Sequence, residues 1–492
     1  MAPSYSQYVR DMTSRNPSLG ALSNFLDHQP RTTSNSIVNY VEIENPGGPS
    51  SLQKSSTKAL AAQVDSGLTK SIFAIVENLH PDDVETLGSS LDIDPFFFCG
   101  HIASSYRDIE NAPPPPLLAL PPSRIISRKY FNIHYQKVLD LGDDCTLRHV
   151  PYTLSLAENI PRSIRRLPAL SGRSIGLLRT CTSVMKKDLP NGLWVCLILV
   201  DPTADAMVYP SCNALPVFEI KKPQSPRRME SEELHDLPAY STFRVTDIAC
   251  PDSRPVNPGE EMLNHFCNLF PGLGAAKPSF LSLAHYPLQS AISDWMLYGL
   301  LMSRYIKYYE YSFPTAPSRL ELFETDDLLD LHRWRRRCQQ SLHKLQMTRR
   351  YVEHWRAKEQ TPSQERGAPS DQLSNWDMLV MDLRYLEEQI EQHARSLEAL
   401  SPIMTSLVQL IDSHKSIAQA EDIRRLTYIA IAFIPLTYIT GLFSMSEPYG
   451  PGRKYFWVYW VAAVPTAAII MGLLMLDGRI PALWKTLKEV FS

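Results

Sequence analysis

The chain has 492 residues, of which 44% are hydrophobic and 21% charged, with a formal net charge of −3. This is too long for one ordinary compact domain, and neither the net charge nor any long Lys/Arg run or zinc-finger spacing points to nucleic acid. Its cysteines, Cys99, Cys145, Cys181, Cys196, Cys212, Cys250, Cys267 and Cys338, stand singly without a CxxC pair. That argues against a zinc ribbon and a disulfide framework, and reads as small buried hydrophobes in a reducing compartment.

The N-terminus has no apolar core of the kind a secretory signal needs. Residues 1–65, rich in Ser, Asn, Pro and Thr, read as a disordered tail. A soluble α/β domain is expected over 66–284. Its first strand is the apolar run Ser71–Glu77, followed by a helix opening at Pro81-Asp82-Asp83 and ending near Gly88 or Ser89, then a short helix over Asp94–Ile102 with Pro95 in its first turn. The Pro-rich stretch 111–122 must be a stiff, extended connector. Beyond it, Phe131, Ile133, Tyr135 and Leu139 alternate with polar residues at strand period, and Ile175–Val184 and Trp194–Val200 also read as strands. The last, WVCLILV, is continuously apolar and should be central in a sheet covered on both faces. Residues 202–257 are Pro-rich and irregular.

A helical region is expected over 285–425. His285–Phe313 reads as an amphipathic helix whose uncharged window is too short to span a bilayer. Over 318–357, Leu331, Trp334, Cys338, Leu342 and Leu345 form one apolar stripe, and 358–371 is a polar loop. From about 373 a third pattern, Leu379, Leu383, Leu386, Ile390, Leu397, Leu400, Met404 and Leu407, keeps close to heptad spacing, as a coiled seam does. No stop signal separates it from the apolar run that follows. A single helix over 373–443 would be roughly 105 Å long, with a kink or break expected at Pro402.

Two uncharged runs close the chain, Leu426–Met445 and Tyr455–Leu476, each about the length that a bilayer core requires. The second opens on an aromatic cluster, as an interfacial belt would. The short connector Ser446–Lys454 makes them an antiparallel transmembrane hairpin over 426–476, followed by a tail over 477–492. Lys415, Arg424, Arg425, Arg479, Lys485 and Lys488 flank the hairpin, against only Arg453 and Lys454 in the connector, so both termini are expected in the cytosol. Pro435 and Pro465 interrupt the two spans; each frees a carbonyl that neighbouring helices or water must serve. No GxSxG, P-loop, HExxH or glycine-rich dinucleotide turn is present, so no enzyme is expected.

The stretch from Arg424 through Phe433-Ile434-Pro435-Leu436-Thr437 to Gly441-Leu442-Phe443-Ser444-Met445-Ser446 resembles the CorA-type magnesium transporters, above all their divergent fungal members. Ile72–Leu79 and Leu87–Pro95 resemble the N-terminal part of the same proteins. The resemblance implies a CorA-like funnel: an α/β N-terminal cytosolic domain, long stalk helices and a C-terminal two-helix transmembrane hairpin, assembled as a homopentamer in a lipid bilayer. It implies a channel for a divalent cation, magnesium first, lined by the first span. No tightly bound cofactor is expected; magnesium would be both transported and regulatory.

Carried over by residue, the implied pore line is Ile423, Leu426, Ala430, Ile434, Thr437 and Gly441. The family's outer Gly-Met-Asn motif aligns with Ser444-Met445-Ser446, of which only the Met is retained, and Glu447 is the connector's single acid. Acids that could sense cytosolic divalent ions are Asp82, Asp83, Asp326, Asp327 and Glu391. The altered motif and weakly acidic connector leave a second reading, a non-transporting membrane-anchored sensor or scaffold. The plasma membrane is the first candidate location, with the vacuolar or mitochondrial inner membrane behind it.

Overall fold

The apolar runs Ser71–Glu77 and Trp194–Val200 are parallel neighbours at the centre of one sheet, Ile72 level with Val195 and Glu77 with Val200, and every residue of both is buried. The structure is a computed structural model. It describes residues 4–27, 36–44, 48–49, 53–103, 123, 126–143, 152–169, 172–203, 206–208, 218–219, 258–269, 278–312, 325–360, 375–445, 454–469 and 472. The connector 111–122 and most of 202–257 lie outside those residues. The chain divides into two compact units, Met1–Tyr309 with His332–Leu397, and Glu310–Leu331 with Glu398–Ser492.

In the first unit the strands are β1 (Ile37–Glu44), β2 (Gly48–Pro49), β3 (Gln53–Ser55), β4 (Ser71–Glu77), β5 (Tyr130–Asp143), β6 (Thr153–Leu156), β7 (Ser163–Arg166), β8 (Arg173–Asp188), β9 (Trp194–Val200), β10 (Ala206–Val208) and β11 (Phe218–Glu219). They form one mixed sheet in the order β11-β10-β6-β7-β8-β9-β4-β1-β2, with β3 on β1 and β5 along β8. Among the described strands β4 and β9 are the only parallel pair. That is why their sequences are apolar throughout rather than alternating: both faces are covered.

One face is covered by α1 (Tyr5–Arg15), α2 (Gly20–Asp27), α3 (Thr57–Asp65), α4 (Pro81–Ser90) and α5 (Pro95–Ile102), whose buried residues form one core with Val38, Tyr40, Ile72, Ala74, Val76, Val195, Leu197 and Leu199. Both sequence-predicted helices start where their caps allow. His80 and Asp83 close a capping box on α4, and the Asp94 carboxylate accepts the Phe96 N–H at 3.0 Å, with Pro95 in the first turn of α5.

Residues 1–65, expected as a disordered tail, instead contribute three helices and three strands to this unit. Composition misled because the segment's few large apolar residues sit at helical spacing. Tyr5, Val9, Leu19 and Leu22 are all buried. The Glu85 carboxylate caps α1 by accepting the N–H groups of Tyr5 (2.8 Å) and Ser6 (2.7 Å), two donors that a helix start leaves without partners. The Tyr5 hydroxyl donates to the Ile93 carbonyl at 2.8 Å, and its ring lies on Gly88, where a side chain would not fit.

The opposite face meets α6 (Pro258–Leu269), α7 (Phe280–Ser312) and α8 (Thr325–Gln360). Phe73 stacks on Phe266 at 3.7 Å, Phe131 stacks on Tyr351 at 4.0 Å, and the Trp355 indole N–H donates to the Ile126 carbonyl at 3.0 Å. Trp334 of α8 lies between Tyr298 and Tyr305 of α7. The last helix, α9, runs Asn375–Ser444 as one element that carries Pro402 and Pro435 within it, so Pro402 does not end it. Its seam residues Leu379, Leu383, Leu386, Ile390 and Leu397 are buried in the first unit, where Arg349 of α8 pairs with Glu387 at 2.8 Å and with Glu353 at 2.9 Å. Placed by contacts, the division between units falls after Leu397, not at the expected boundaries 284 and 425.

A Cβ at Gly88 would lie 2.5 Å from the Tyr5 ring. We therefore expect Gly88→Ala to destabilise the full chain by about 1–3 kcal/mol, despite alanine's better helix propensity. In a Tyr5→Ala background the same change should cost nothing or stabilise, a non-additivity read by denaturant unfolding of the four-member cycle.

Candidate functional site

The second unit holds the residues with the clearest functional pattern. From Leu426 to Met445 the chain carries no Asp, Glu, Lys or Arg, and α9 stays helical through Ser444. A second helix, α10, covers 457–469. The two touch where the Thr440 and Tyr459 hydroxyls lie 3.2 Å apart and the Phe443 and Tyr459 rings meet edge to face at 6.0 Å. On α9 the partly covered residues are Pro435, Leu436, Ile439 and Phe443, spaced by three and four and so on one side of the helix. On α10, Tyr459, Ala462, Thr466 and Ala467 are partly covered and Ala463 is buried. This small-residue face was not singled out from sequence; the signal was there in alanines and a threonine at three- and four-residue spacing.

Ile423, Leu426, Ala430, Ile434, Thr437 and Gly441 are all exposed, Leu426 and Ile434 at 70% and 68%. Ile434, Thr437 and Gly441 each precede a residue of the covered side by two positions, about 200° around a helix of 3.6 residues per turn. The stripe therefore lies opposite the face that meets α10. The Thr437 hydroxyl donates to the Phe433 carbonyl at 2.8 Å, so its oxygen faces outward as an acceptor. Ser444 is exposed and Met445 is 90% exposed; Ser446 and Glu447 lie outside the described residues.

Other large apolar side chains around the pair are equally bare, among them Phe433, Tyr438, Leu442, Trp457, Trp460 and Val464. Among the described residues no helix is long and apolar enough to cross a membrane. The side chains of Tyr428, Ile429 and Ala432, and most of 470–476, lie outside the description, so the full lengths of the two uncharged runs are facts of sequence.

Among the described residues Asp82, Asp83 and Glu391 form no shared metal-binding group. Asp83 is buried and already engaged, accepting the Thr57 hydroxyl at 2.5 Å and the His80 N–H at 2.9 Å. Asp82 is exposed beside His80, and Glu391 accepts from Arg395 one turn away at 2.6 Å. Asp326 and Asp327 sit in the first turn of α8, with side chains outside the description. Among the described residues no group of three His, Cys, Asp or Glu could hold a metal ion. Among the described cysteines, Cys99, Cys181, Cys196 and Cys338 are buried, as read from sequence, and Cys267 is partly so; burial pushes the thiols of Cys99, Cys181 and Cys338 up, to about 11, 12 and 12.

Sequence reasoning did not single out a buried ion pair beside the end of β9. Arg162 donates to both Asp201 oxygens at 2.8–3.0 Å and to the His101 carbonyl at the end of α5 at 2.7 Å, while the Cys181 N–H also donates to Asp201 at 2.9 Å. His101 beside it is fully buried, and burial lowers its pKa to about 3. Burial likewise lowers His285 to about 4 and holds His134 well below its usual range. Every member has a structural task, so this cluster locks the first unit rather than forming a second site.

Residues 330–476 match the family model described as CorA-like Mg2+ transporter protein. Among solved structures the chain is similar to the CorA magnesium transporter of Methanocaldococcus jannaschii, at 10% identity over 90% of this chain and 98% of that one, with a TM-score of 0.34. It is similar also to the full-length CmaX protein, at 12% identity over 91% and 98%, with a TM-score of 0.33. No curated protein matches the chain significantly.

A histidine held neutral by burial takes up a proton only on unfolding, so the stability it contributes is whole above its unfolded pKa near 6.5 and is lost as pH falls below it. With His101 at about 3 and His285 at about 4, unfolding free energy should fall between pH 6.5 and 4 by up to about 1.4 kcal/mol per pH unit for each. Urea unfolding across that window should show the slope, reduced by one proton in His101→Asn. Arg162→Ala, which strands the Asp201 charge, should cost about 3–5 kcal/mol at neutral pH. Residues 330–476, the part that carries the candidate site, are similar to the CorA-like Mg2+ transporter family.

Proposed function

We propose that this chain is a divalent-cation channel, with magnesium the first candidate ion, and that the first of two membrane-crossing helices lines its pore. The observation that carries the reading is the uncharged stripe Ile423, Leu426, Ala430, Ile434, Thr437 and Gly441, bare on the side of α9 opposite α10. A helix that uses one side for its hairpin partner and leaves the other bare has the arrangement a ring of copies needs around an axis. The remaining bare apolar surface is what a bilayer would cover. The runs Leu426–Met445 and Tyr455–Leu476 have the length for that, and the basic flanks orient both termini to the cytosol.

Along the stripe, Ile423 and Leu426 supply an apolar constriction and Thr437 supplies hydroxyl oxygens. A hydrated cation points its water hydrogens outward, so it needs acceptors, and a threonine whose own hydrogen is spent on the Phe433 carbonyl offers just that. The membrane potential drives a dication inward, at roughly 2.3 kcal/mol per charge for 100 mV. A homo-oligomer is required, because one stripe encloses nothing; a pentamer and the plasma membrane are the states this reading prefers.

The second reading, a sensor or scaffold that does not transport, is favoured by one observation: Ser444 and Ser446 replace the Gly and Asn of the family's outer motif. Liposomes holding the purified protein separate the two. We expect saturable magnesium influx, reduced at least about tenfold by Thr437→Leu through loss of roughly 1.4 kcal/mol or more of passage free energy. Absence of influx of any divalent ion from a well-assembled oligomer would select the sensor.

A further inference from the structure

We infer that α6 is a latch: its first turns lift from β1 while the rest of the first unit stays folded, and the buried side chain of Asn39 biases it toward that opening. Asn39 is 0% exposed, yet neither its carboxamide nitrogen nor its oxygen makes a hydrogen bond. An asparagine brings two donors and two lone pairs into the interior, and interior polar groups are almost always paired. A strand position of this kind ordinarily holds a β-branched or aromatic residue. The closed form therefore carries a polar group whose hydrogen bonds only an opened form can make.

The geometry places that group under α6, which packs on β1 and β4. Val38 and Tyr40 turn into the core shared with α1–α5, so Asn39 and Val41 face the other way. Val41 is level with Phe73 on β4, and Phe73 stacks on Phe266 of α6. Asn39 is level with Lys54 on β3, and Lys54 pairs with Glu260 in the first turn of α6. The helix thus runs along β1, with its first turn at the level of Asn39 and Phe266 at the level of Val41.

The two ends of α6 are held unequally. In its C-terminal half Phe266 stacks on the sheet at 3.7 Å and His265 stacks on Tyr286 of α7 at 4.0 Å. The first turn is held by the Lys54–Glu260 pair, whose side chains are 64% and 31% exposed, and an exposed ion pair contributes little. Met262 and Leu263 supply the apolar seat between. Lifting about the ring stacks uncovers Asn39 first, and water then takes up the hydrogen bonds that the closed form leaves unmade. A segment tied down by few buried contacts opens in this way without global unfolding. The inference is independent of ion conduction.

Amide hydrogen exchange of the full chain in liposomes, read by mass spectrometry, tests this on the parent, Asn39→Leu and Asn39→Val. Leucine has the heavy-atom count of asparagine and valine has fewer, so overpacking does not mask the effect in both. In the parent, peptides of α6 should exchange at least about tenfold faster than those of β9, because α6 opens alone. At least one of the two substitutions should slow exchange at α6 by about tenfold or more, the factor that about 1.4 kcal/mol sets. If α6 of the parent exchanges in step with β9, it opens only with the whole unit and the inference falls. If neither substitution slows α6, the closed form already satisfies the carboxamide of Asn39, and the inference falls as well.

Discussion

Apolar surface cannot be left in water without cost, and α9 is where this chain meets that constraint most severely. Its first turns, about six of them, lay Leu379, Leu383, Leu386, Ile390 and Leu397 into the first unit. After Met404 the same helix continues without interruption but with much of its described surface bare: Leu410, Ile417, Leu426, Phe433, Ile434 and Leu442 are each about half exposed or more. Each such side chain, fully covered, contributes roughly 1.5–3 kcal/mol. Six of them together are comparable with the margin by which a whole domain is ordinarily stable. The bare surface divides by chemistry into an uncharged length from Leu426 on, a stripe opposite the face that meets α10, and a preceding length with charged neighbours.

The first unit obeys the same constraint in the opposite way. Its central strands are covered on both faces, one face by helices that need the N-terminal segment to be complete. Withdrawing α1 would uncover Leu87 and Leu91 beneath it and leave the Glu85 carboxylate without its two N–H donors. The charges that this burial traps beside α5 are matched inside. Arg162 takes both oxygens of Asp201 and closes the end of α5, so a charge pair that would be costly if incomplete becomes a fixed joint between helix and sheet.

Much of this was legible in the sequence because the patterns were local. SIFAIVE reads as a strand and WVCLILV as a central strand covered on both faces with no help from the rest of the chain, and His80-Pro81-Asp82-Asp83 announces a helix start. The uncharged runs and the stripe within the first of them were equally readable, because helical spacing alone fixes which residues share a side. What stayed hidden depends on contacts distant in sequence. The tail's helices are held by Glu85, Gly88 and Ile93, some eighty residues away, and no window of local composition contains those partners. Arg162 and Asp201 likewise look like ordinary surface charges until β9 and the turn before β7 bring them together. At Pro402, where a kink or a break was expected, the helix does not break. A proline removes one hydrogen bond, and a helix whose seam is buried on the preceding turns can absorb that loss.

In the channel proposed above, the outer end of the first span is where family pattern and residue chemistry part. A carboxamide extends an oxygen well beyond the backbone, whereas Ser444 offers a hydroxyl close to it, so any ring of such groups is wider and holds a hydrated ion less closely. The connector does not compensate, since Glu447 is offset by Arg453 and Lys454 and cannot concentrate cations at the mouth. Discrimination would then have to come from deeper in the helix, where Thr437 stands between Ile434 and Gly441 with its oxygen turned outward. Moving the discriminating ring inward places it nearer the centre of the bilayer, where the dielectric is lower and an acceptor acts on a cation's water shell more strongly than it could at an open mouth.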